Sequence, residues 1–432
     1  MRPVGLAKIE TMLLLASAAL ISASCGNSQP VSAAPPPKPT KGVAAQKMMA
    51  QVGQLPNQST DYDQVGDHYQ KEGPPFWVRP GYKVTLVGEA LGNARFLEFD
   101  DKGILYMSRP GGNDVVILKE TNGKYSIGSI FINKLPQVQG LCFHDGWMYI
   151  SQSQKIIRAK DTNNDGIADV VETVLQDLAG GSGHWWRSLL VTDDAIYTSV
   201  GDPSNISDQT DTDREKIWKY SLDGKTRTLF ASGLRNTEKL RMKPGTNEVY
   251  GGDQGSDWYG KDYGSGERES QQPITDFYPP DEFNHYVEGG FYGHPFIVGN
   301  RIPRTEYWNR PEILDLAEKT ITPAWCFGPH WAVDGFTFYT GKQFPADCIG
   351  DAFCGLHGSW NRSVRSGYRI ERICFDKVTG LPYGSQLIVG TLDPNKKVIA
   401  RPVDVAQAPD GSLLFTSDSN SSLYRIQYVG AK

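Results

Sequence analysis

Three histidines of this chain stand in unusual company. His184 and Arg187 share "GGSGHWWRS", His330 lies in "FGPHWAVDGF", and "LHGSWNR" sets His357 close to Trp360, Asn361 and Arg362. Imidazole titrates near neutrality and suits the removal of a proton from a hydroxyl. Guanidinium forks bind carboxylates through two parallel hydrogen bonds. Arginines recur in similar stretches: Arg235 beside Asn236 in "SGLRNTEKL", Arg401 in "ARPVD", and Arg95 just before "FLEFDD". Another stretch, "GGDQGSDWYG", carries Asp253, Gln254, Gly255, Ser256 and Asp257. Singly, each is an ordinary strand-end or turn residue. Gathered at matching points of a repeated fold, they would share one polar pocket.

A second pattern concerns cations. "DTNNDGIADVVE" fits D-x-[DN]-x-[DN]-G-x5-E, with Asp161, Asn163, Asp165, Gly166, Asp169 and Glu172. Oxygens at alternate positions, a glycine for the sharp turn and a closing carboxylate suit a hard, seven-coordinate ion. An Asx-rich hairpin loop is the alternative. The preceding "KIIRAK" reads as a strand, so a calcium loop here would be structural and not an EF-hand.

The elements that must position these residues announce themselves by repetition. An apolar strand, a turn and an aromatic-rich strand recur as "ARFLEFDDKGILYMSRP", "VQGLCFHDGWMYISQS", "RSLLVTDDAIYTSVGD", "EKLRMKPGTNEVYGGD", "DGFTFYTGKQFPADCIGDAFCGLHG" and "PVDVAQAPDGSLLFTSD". The first four are spaced by roughly 45–50 residues, the period of four-stranded propeller blades. Intervening segments such as "NDVVILKE" and "YRIERICFD" supply a third strand. The expectation is an all-β, six-bladed β-propeller, closed by pairing of the N-terminal strand "GYKVTLVGEA" with "SSLYRIQYVG" of the C-terminal blade. Equivalent strand ends then converge on one mouth of the channel, where the histidines and arginines lie.

Outside the propeller, residues 1–25 read as an export signal: Arg2 and Lys8, then "MLLLASAALISAS" ending at Cys25. "SASC" resembles a bacterial lipoprotein signal, with Cys25 as the acylated residue. Residues 26–75 form a Pro-rich tether, and 76–432 the folded part, with an insertion at about 252–329 that includes a short helix at "RPEILDLAEK". The expected place is the periplasm or cell envelope. A net charge of −5, with acids and bases interspersed, gives no reason to expect nucleic acid as a partner. Past Cys25, Cys142, Cys326, Cys348, Cys354 and Cys374 remain, an odd number that reads as small buried residues with at most partial pairing.

"GLRN", "EGGFYGHP", "FYTGKQFP", "HGSWNRS…GYRI" and "RPVDVAQAPDGSLLFTSD" together resemble the glucose/sorbosone dehydrogenase family, from about Tyr82 to the C-terminus, with the sorbosone and pyranose dehydrogenase branch most similar. The resemblance implies pyrroloquinoline quinone (PQQ) as cofactor, with Arg95, Arg235, Asn236, His330, His357, Trp360, Asn361, Arg362 and Arg401 around it. It implies His184 as the base and oxidation of a sugar hydroxyl or aldehyde hydrate by hydride transfer. It also implies Ca²⁺ on the backbone carbonyls of Gly255 and Ser256, although "DQGSDW" departs from the better-known pattern there. Electrons would leave to an external acceptor, a membrane quinone or redox protein, because no haem motif is present. A catalytically inactive carbohydrate- or protein-binding propeller and a lactonase-like hydrolase are the competing readings. The hydrolase would need Asp, Glu and Asn ringed around a central metal.

Overall fold

The computed structural model describes residues 58–59, 66–181, 183–260 and 274–430. The export signal, Cys25 and the tether up to residue 57 lie outside the described residues, as do 261–273 of the expected insertion. Contact with the fold begins earlier than residue 76. The buried indole N–H of Trp325 needs an acceptor and donates to Ser59 Oγ at 2.8 Å.

Regular structure is almost entirely β. Second strands of the repeated phrases, such as Ile196–Val200, Ala352–Leu356 and Leu413–Ser417, are buried at every residue. Neighbouring sheets cover both their faces, so most of their positions are apolar and the few hydroxyls among them are buried as well. Outer strands such as Lys124–Ile132 and Val170–Leu175 keep polar, partly exposed residues that guard an open edge.

One sheet is a four-stranded antiparallel meander of Val138–His144, Trp147–Gln152, Ile156–Lys160 and Val170–Leu175. The next contains Leu190–Val191, Ile196–Val200, Lys216–Tyr220 and Arg227–Ser232, with Gly290–Phe291 added in parallel at its edge. A third sheet is Thr237–Met242, Val249–Asp253, Pro280–Tyr286 and Trp325–Pro329. Thus the segment 252–329 is not one excursion: two of its stretches complete this sheet. Between them lies the α-helix Ile313–Lys319, within "RPEILDLAEK". A fourth sheet runs Val333–Phe338, Ala352–Leu356, Arg369–Phe375, Pro382–Gly390 and Trp77–Val78.

The remaining sheet has eight strands and is two meanders in one. Pro402–Gln407, Leu413–Ser417 and Ser422–Tyr428 are followed by Tyr82–Gly88, which pairs antiparallel from Tyr82↔Tyr428 to Gly88↔Leu423. A single parallel bridge, Gly88↔Tyr125, then leads to Lys124–Ile132, Asp114–Thr121, Leu105–Arg109 and Leu97–Phe99. The N-terminal strand therefore closes onto the C-terminal one.

The first strands of these groups pack in a ring: Leu97–Phe99 on Val138–His144, then Leu190–Val191, Thr237–Met242, Val333–Phe338 and Pro402–Gln407, which returns to Leu97–Phe99. Apolar cores fill the wedges between groups, as where Tyr106, Val115 and Phe131 meet Leu141, Met148 and Ile150. All five cysteines among the described residues are buried and unpaired.

Candidate functional site

Bulges aim polar side chains at the axis. Four of the six inner strands break register near their start: between Val138 and Leu141, Thr237 and Lys239, Val333 and Gly335, and Pro402 and Val405. The displaced residues include Gln139, Glu238, Asp334 and Asp404. A bulge redirects a side chain that regular alternation would send elsewhere. Carboxylates from separate sheets thereby reach one another.

Arg95 sits at their centre. Its guanidinium is 2.9 Å from Glu238, 3.1 Å from Asp418 and 3.5 Å from Asp334. Gln139 and Asn236 each donate to Glu238 at 3.2 Å, and Gln254 donates to Asp334 at 2.6 Å. His357 Nε2 lies 2.9 Å from Asp418. Burial pushes the Asp334 carboxyl well above its ordinary range, reinforced by Glu238 and opposed by Arg95. Burial also pulls His357 down to about 4. Deeper in the channel, Lys239 pairs with Asp404 at 2.5 Å and Arg241 with Glu98 at 2.5 Å. Trp186 packs against Trp185 with centroids 3.7 Å apart and planes tilted by 30°, and the Arg95 guanidinium lies over its ring at 4.8 Å.

His184 stands beside this cluster. Its Nδ1 is 2.9 Å from the backbone carbonyl of Asp202. A carbonyl only accepts, so Nδ1 carries the proton and the Nε2 lone pair is left to accept one. Burial, then the Arg235 charge, lower the imidazole to about 3. Fully buried Arg187 donates to the carbonyls of Trp186, at 2.9 Å, and His184, at 3.4 Å, so it braces the loop that carries the imidazole. The carboxylate of Asp202 accepts from Ser204 N, Ser207 N and Ser207 Oγ. It also lies 2.9 Å from His294 Nε2, with Glu215 Oε1 3.5 Å from that nitrogen.

Arg235 is engaged by its own chain. The guanidinium donates to the Asn205 carbonyl at 3.0 Å, Asn205 Oδ1 at 2.8 Å, the Gly255 carbonyl at 2.8 Å and Asp257 at 2.9 Å. It therefore shapes the "DQGSDW" loop. Asp281 holds the same loop from below, accepting from Gly255 N at 2.6 Å and Ala332 N at 2.5 Å. Burial drives this carboxyl up to about 7. Ser256 Oγ accepts from Arg304 at 2.6 Å and donates to the Trp258 carbonyl at 2.9 Å.

The turn after Ala352–Leu356 docks onto these loops. Asn361 donates to the Asp257 carbonyl at 2.7 Å, Arg362 donates to the Pro329 carbonyl at 3.3 Å, and Ser363 N donates to Asp276 at 2.8 Å. Gly358 has φ +108 and packs against the Tyr368 ring, where a Cβ would lie 2.3 Å from the ring. Trp360 is half exposed. Arg401 donates from Nε to the His357 carbonyl at 3.2 Å, and no hydrogen bond involves its terminal nitrogens among the described residues. His330 is buried, its Nε2 has no hydrogen-bond partner, and burial with Arg235 and Arg362 lowers it to about 3.

Of the residues expected from sequence, Arg95, Asn236 and His357 thus share one cluster with the acids, and Arg401 adjoins it through the His357 carbonyl. Arg235, Gly255, Ser256, Asn361 and Arg362 belong to the adjoining loops. Gln139, Asp202, Glu215, Glu238, His294, Asp334 and Asp418 complete the arrangement and were missed. The acids at the bulges carry no sequence mark, because a polar residue in a strand reads as solvent-facing.

The Asx-rich loop stands apart, on the hairpin between Ile156–Lys160 and Val170–Leu175. Asp161 accepts from the backbone N–H of Asn163, Asn164 and Gly166, and Asn163 Nδ2 donates to Asp165 and Asp169. Glu172 does not join them: it faces across the ladder and pairs with Arg158 at 2.6 Å. The loop satisfies itself as an Asx turn, with four of the five expected oxygen donors gathered.

Inner strands ringed about a polar axis, with His184, Arg95 and Arg235 among its polar side chains, define a propeller-like architecture. The chain belongs to the TrAA12-like family, whose model matches residues 76–429. It is similar to a Trichoderma reesei carbohydrate-active enzyme of family AA12, in its calcium structure, with a TM-score of 0.70 over 84% of this chain and 99% of that one at 18% identity. The holo PQQ domain of pyranose dehydrogenase from Coprinopsis cinerea gives 0.68 over 82% and 98% at 16% identity. An uncharacterized protein of Borreliella burgdorferi is 24% identical over 374 residues, 81% of this chain and 90% of that protein. The family resemblance read from the motifs is met by these matches.

Proposed function

We propose that this protein is a PQQ-dependent dehydrogenase oxidising a sugar hydroxyl or aldehyde hydrate, built on a six-bladed propeller with the eight-stranded sheet counted as two blades. The observation that carries the chemistry is His184: a partly buried, neutral imidazole whose tautomer is set by the Asp202 carbonyl and whose Nε2 is left to take a proton. Bound PQQ would supply the hydride acceptor. Arg401 would offer its terminal nitrogens to the carboxylates of PQQ, and His330 Nε2, a buried polar atom without a partner, would meet a polar edge. Arg235 would keep the Gly255 carbonyl in place, and that oxygen's second lone pair suits Ca²⁺. Trp186 and Trp360 offer flat faces to a planar ring or a pyranose. Export with a lipid anchor at Cys25 and delivery of electrons to an external acceptor complete the reading.

A lactonase-like hydrolase is disfavoured by the centre of the channel. Glu238, Asp334 and Asp418 do converge there, but on the Arg95 guanidinium, which occupies the position a catalytic cation would need. Titration of the purified protein with PQQ and Ca²⁺, read by calorimetry and quinone absorbance, tests the proposal. Saturable binding followed by turnover of sugars with an artificial acceptor is expected. A folded protein that binds no PQQ would overturn it in favour of a carbohydrate- or protein-binding propeller.

A further inference from the structure

Behind His184, two buried carboxylates face each other across one histidine. Asp202 follows the strand Ile196–Val200, and Glu215 precedes Lys216–Tyr220 with a backbone φ of +59. The added strand Gly290–Phe291 leads His294 to the same point, where its backbone N–H donates to the Gly233 carbonyl at 3.0 Å. All three side chains are buried: Asp202 is 0%, Glu215 3% and His294 8% exposed.

Buried carboxylates require a cationic partner or a proton. Among the described residues, no lysine or arginine lies within 4.0 Å of either carboxylate; the sole ion-pair partner at that distance is His294. Lys216, next in sequence to Glu215, is turned away and donates to the carbonyls of Gln209, Thr210, Thr212 and Arg214. Arg214 donates to the carbonyls of Gly201 and Gly180. Asp202 is well supplied with donors, but Glu215 Oε1 is buried without any hydrogen bond. That oxygen points at the cluster, 3.5 Å from His294 Nε2.

We propose that Asp202, Glu215 and His294 form a binding site for a first-row divalent metal ion of the Zn²⁺ class, separate from the cofactor pocket. Ligands about 2.0–2.1 Å from one ion are separated from each other by roughly 2.9–3.4 Å at ordinary bond angles. His294 Nε2 is 2.9 Å from Asp202 Oδ2 and 3.5 Å from Glu215 Oε1, and all three donors lie within 4.8 Å of one another. An imidazole nitrogen among two carboxylates selects a borderline ion over Ca²⁺, which takes oxygen ligands. The ion braces the loop whose Asp202 carbonyl orients His184, so its role is to position the base.

The test is calorimetric titration of the chelator-stripped, full protein with ZnCl₂ in excess Ca²⁺ and without PQQ, alongside Glu215→Gln and His294→Gln. One equivalent of Zn²⁺ should bind to the wild-type protein with micromolar or tighter affinity and raise its thermal midpoint. Each variant that folds, judged by circular dichroism, should lose at least 10-fold in affinity and most of that thermal gain. No saturable binding to the folded wild type overturns the proposal, whatever the variants do. Unchanged affinity in a folded variant overturns it equally. Because no PQQ is present, neither result depends on the dehydrogenase reading.

Discussion

His184 has its Nδ1 proton held by a carbonyl and its Nε2 open, so its usefulness as a base does not depend on a pH near the ordinary histidine value. Lowered to about 3, it stays neutral through mild acid. The expected kcat/KM profile therefore shows no acid limb near 6.5; a limb there that disappears in a His184 variant would contradict the geometry. His184→Ala should leave PQQ affinity nearly intact while turnover falls on the order of 10²-fold or more. The arginines should separate by type of failure. Arg401→Ala is expected to weaken PQQ binding with little change in thermal stability, because its fork is not spent on the protein. Arg235→Ala should destabilise the fold by roughly 3 kcal/mol, since it strips partners from Asn205, Gly255 and Asp257. Thermal unfolding and a binding titration on each variant distinguish the two. The family resemblance suggests both arginines for the same task. Only the partners of each guanidinium divide them.

Among the elements, the "DQGSDW" loop depends on one side chain from a strand that sequence reading overlooked. Pro280–Tyr286, "PDEFNHY", is buried throughout, yet four of its seven residues are Asp, Glu, Asn or His. It repeats none of the six phrases and falls where the wider spacing of the last two repeats implies an insertion. Its polar groups are buried because they work: Asp281 ties Gly255 to Ala332. Asp281→Ala should leave two backbone N–H groups without an acceptor and cost roughly 2–4 kcal/mol, with PQQ and Ca²⁺ affinity falling together. Stability unchanged to within a few tenths of a kcal/mol would show that the loop holds itself. By contrast, the repeated phrases were legible. Their strands alternate or run apolar for reasons of burial, and turn residues mark their ends.

For the whole molecule, closure was legible because "GYKVTLVGEA" precedes the first repeated phrase and belongs to none of the six. Val84 and Ile426 face each other across that pairing and are almost completely buried. Ile426→Ala should lower the global unfolding free energy by roughly 2–5 kcal/mol in a denaturant titration. A loss confined to local fraying would mean that the ring does not unfold as one unit. The contribution of the Glu282 and Asp281 carboxyls to stability should fall as pH rises from their ordinary range, about 4, and level off above about 8, because burial raises Glu282 to about 8 and Asp281 to about 7. Raised carboxyls hold protons in the folded state that the unfolded chain has already released, so their contribution is lost as pH climbs through the folded value. Glu282→Gln should flatten that decline. What the sequence could not reveal was the inward turn of the acids at the bulges, since register shifts leave no compositional trace.

The pairing of Tyr82–Gly88 with Ser422–Tyr428 also sets an order of events during synthesis. Tyr82–Gly88, made before every repeated phrase, must wait for Ser422–Tyr428, made after them all, and bringing the two together closes a loop that spans nearly the whole fold. Until then Tyr82–Gly88 carries a row of unpaired backbone groups, the kind of edge that recruits other chains. A nascent chain halted before residue 422 would keep that edge bare however well its other sheets had formed. Ser422–Tyr428 therefore decides whether that edge is covered within the ring or left as a template for aggregation.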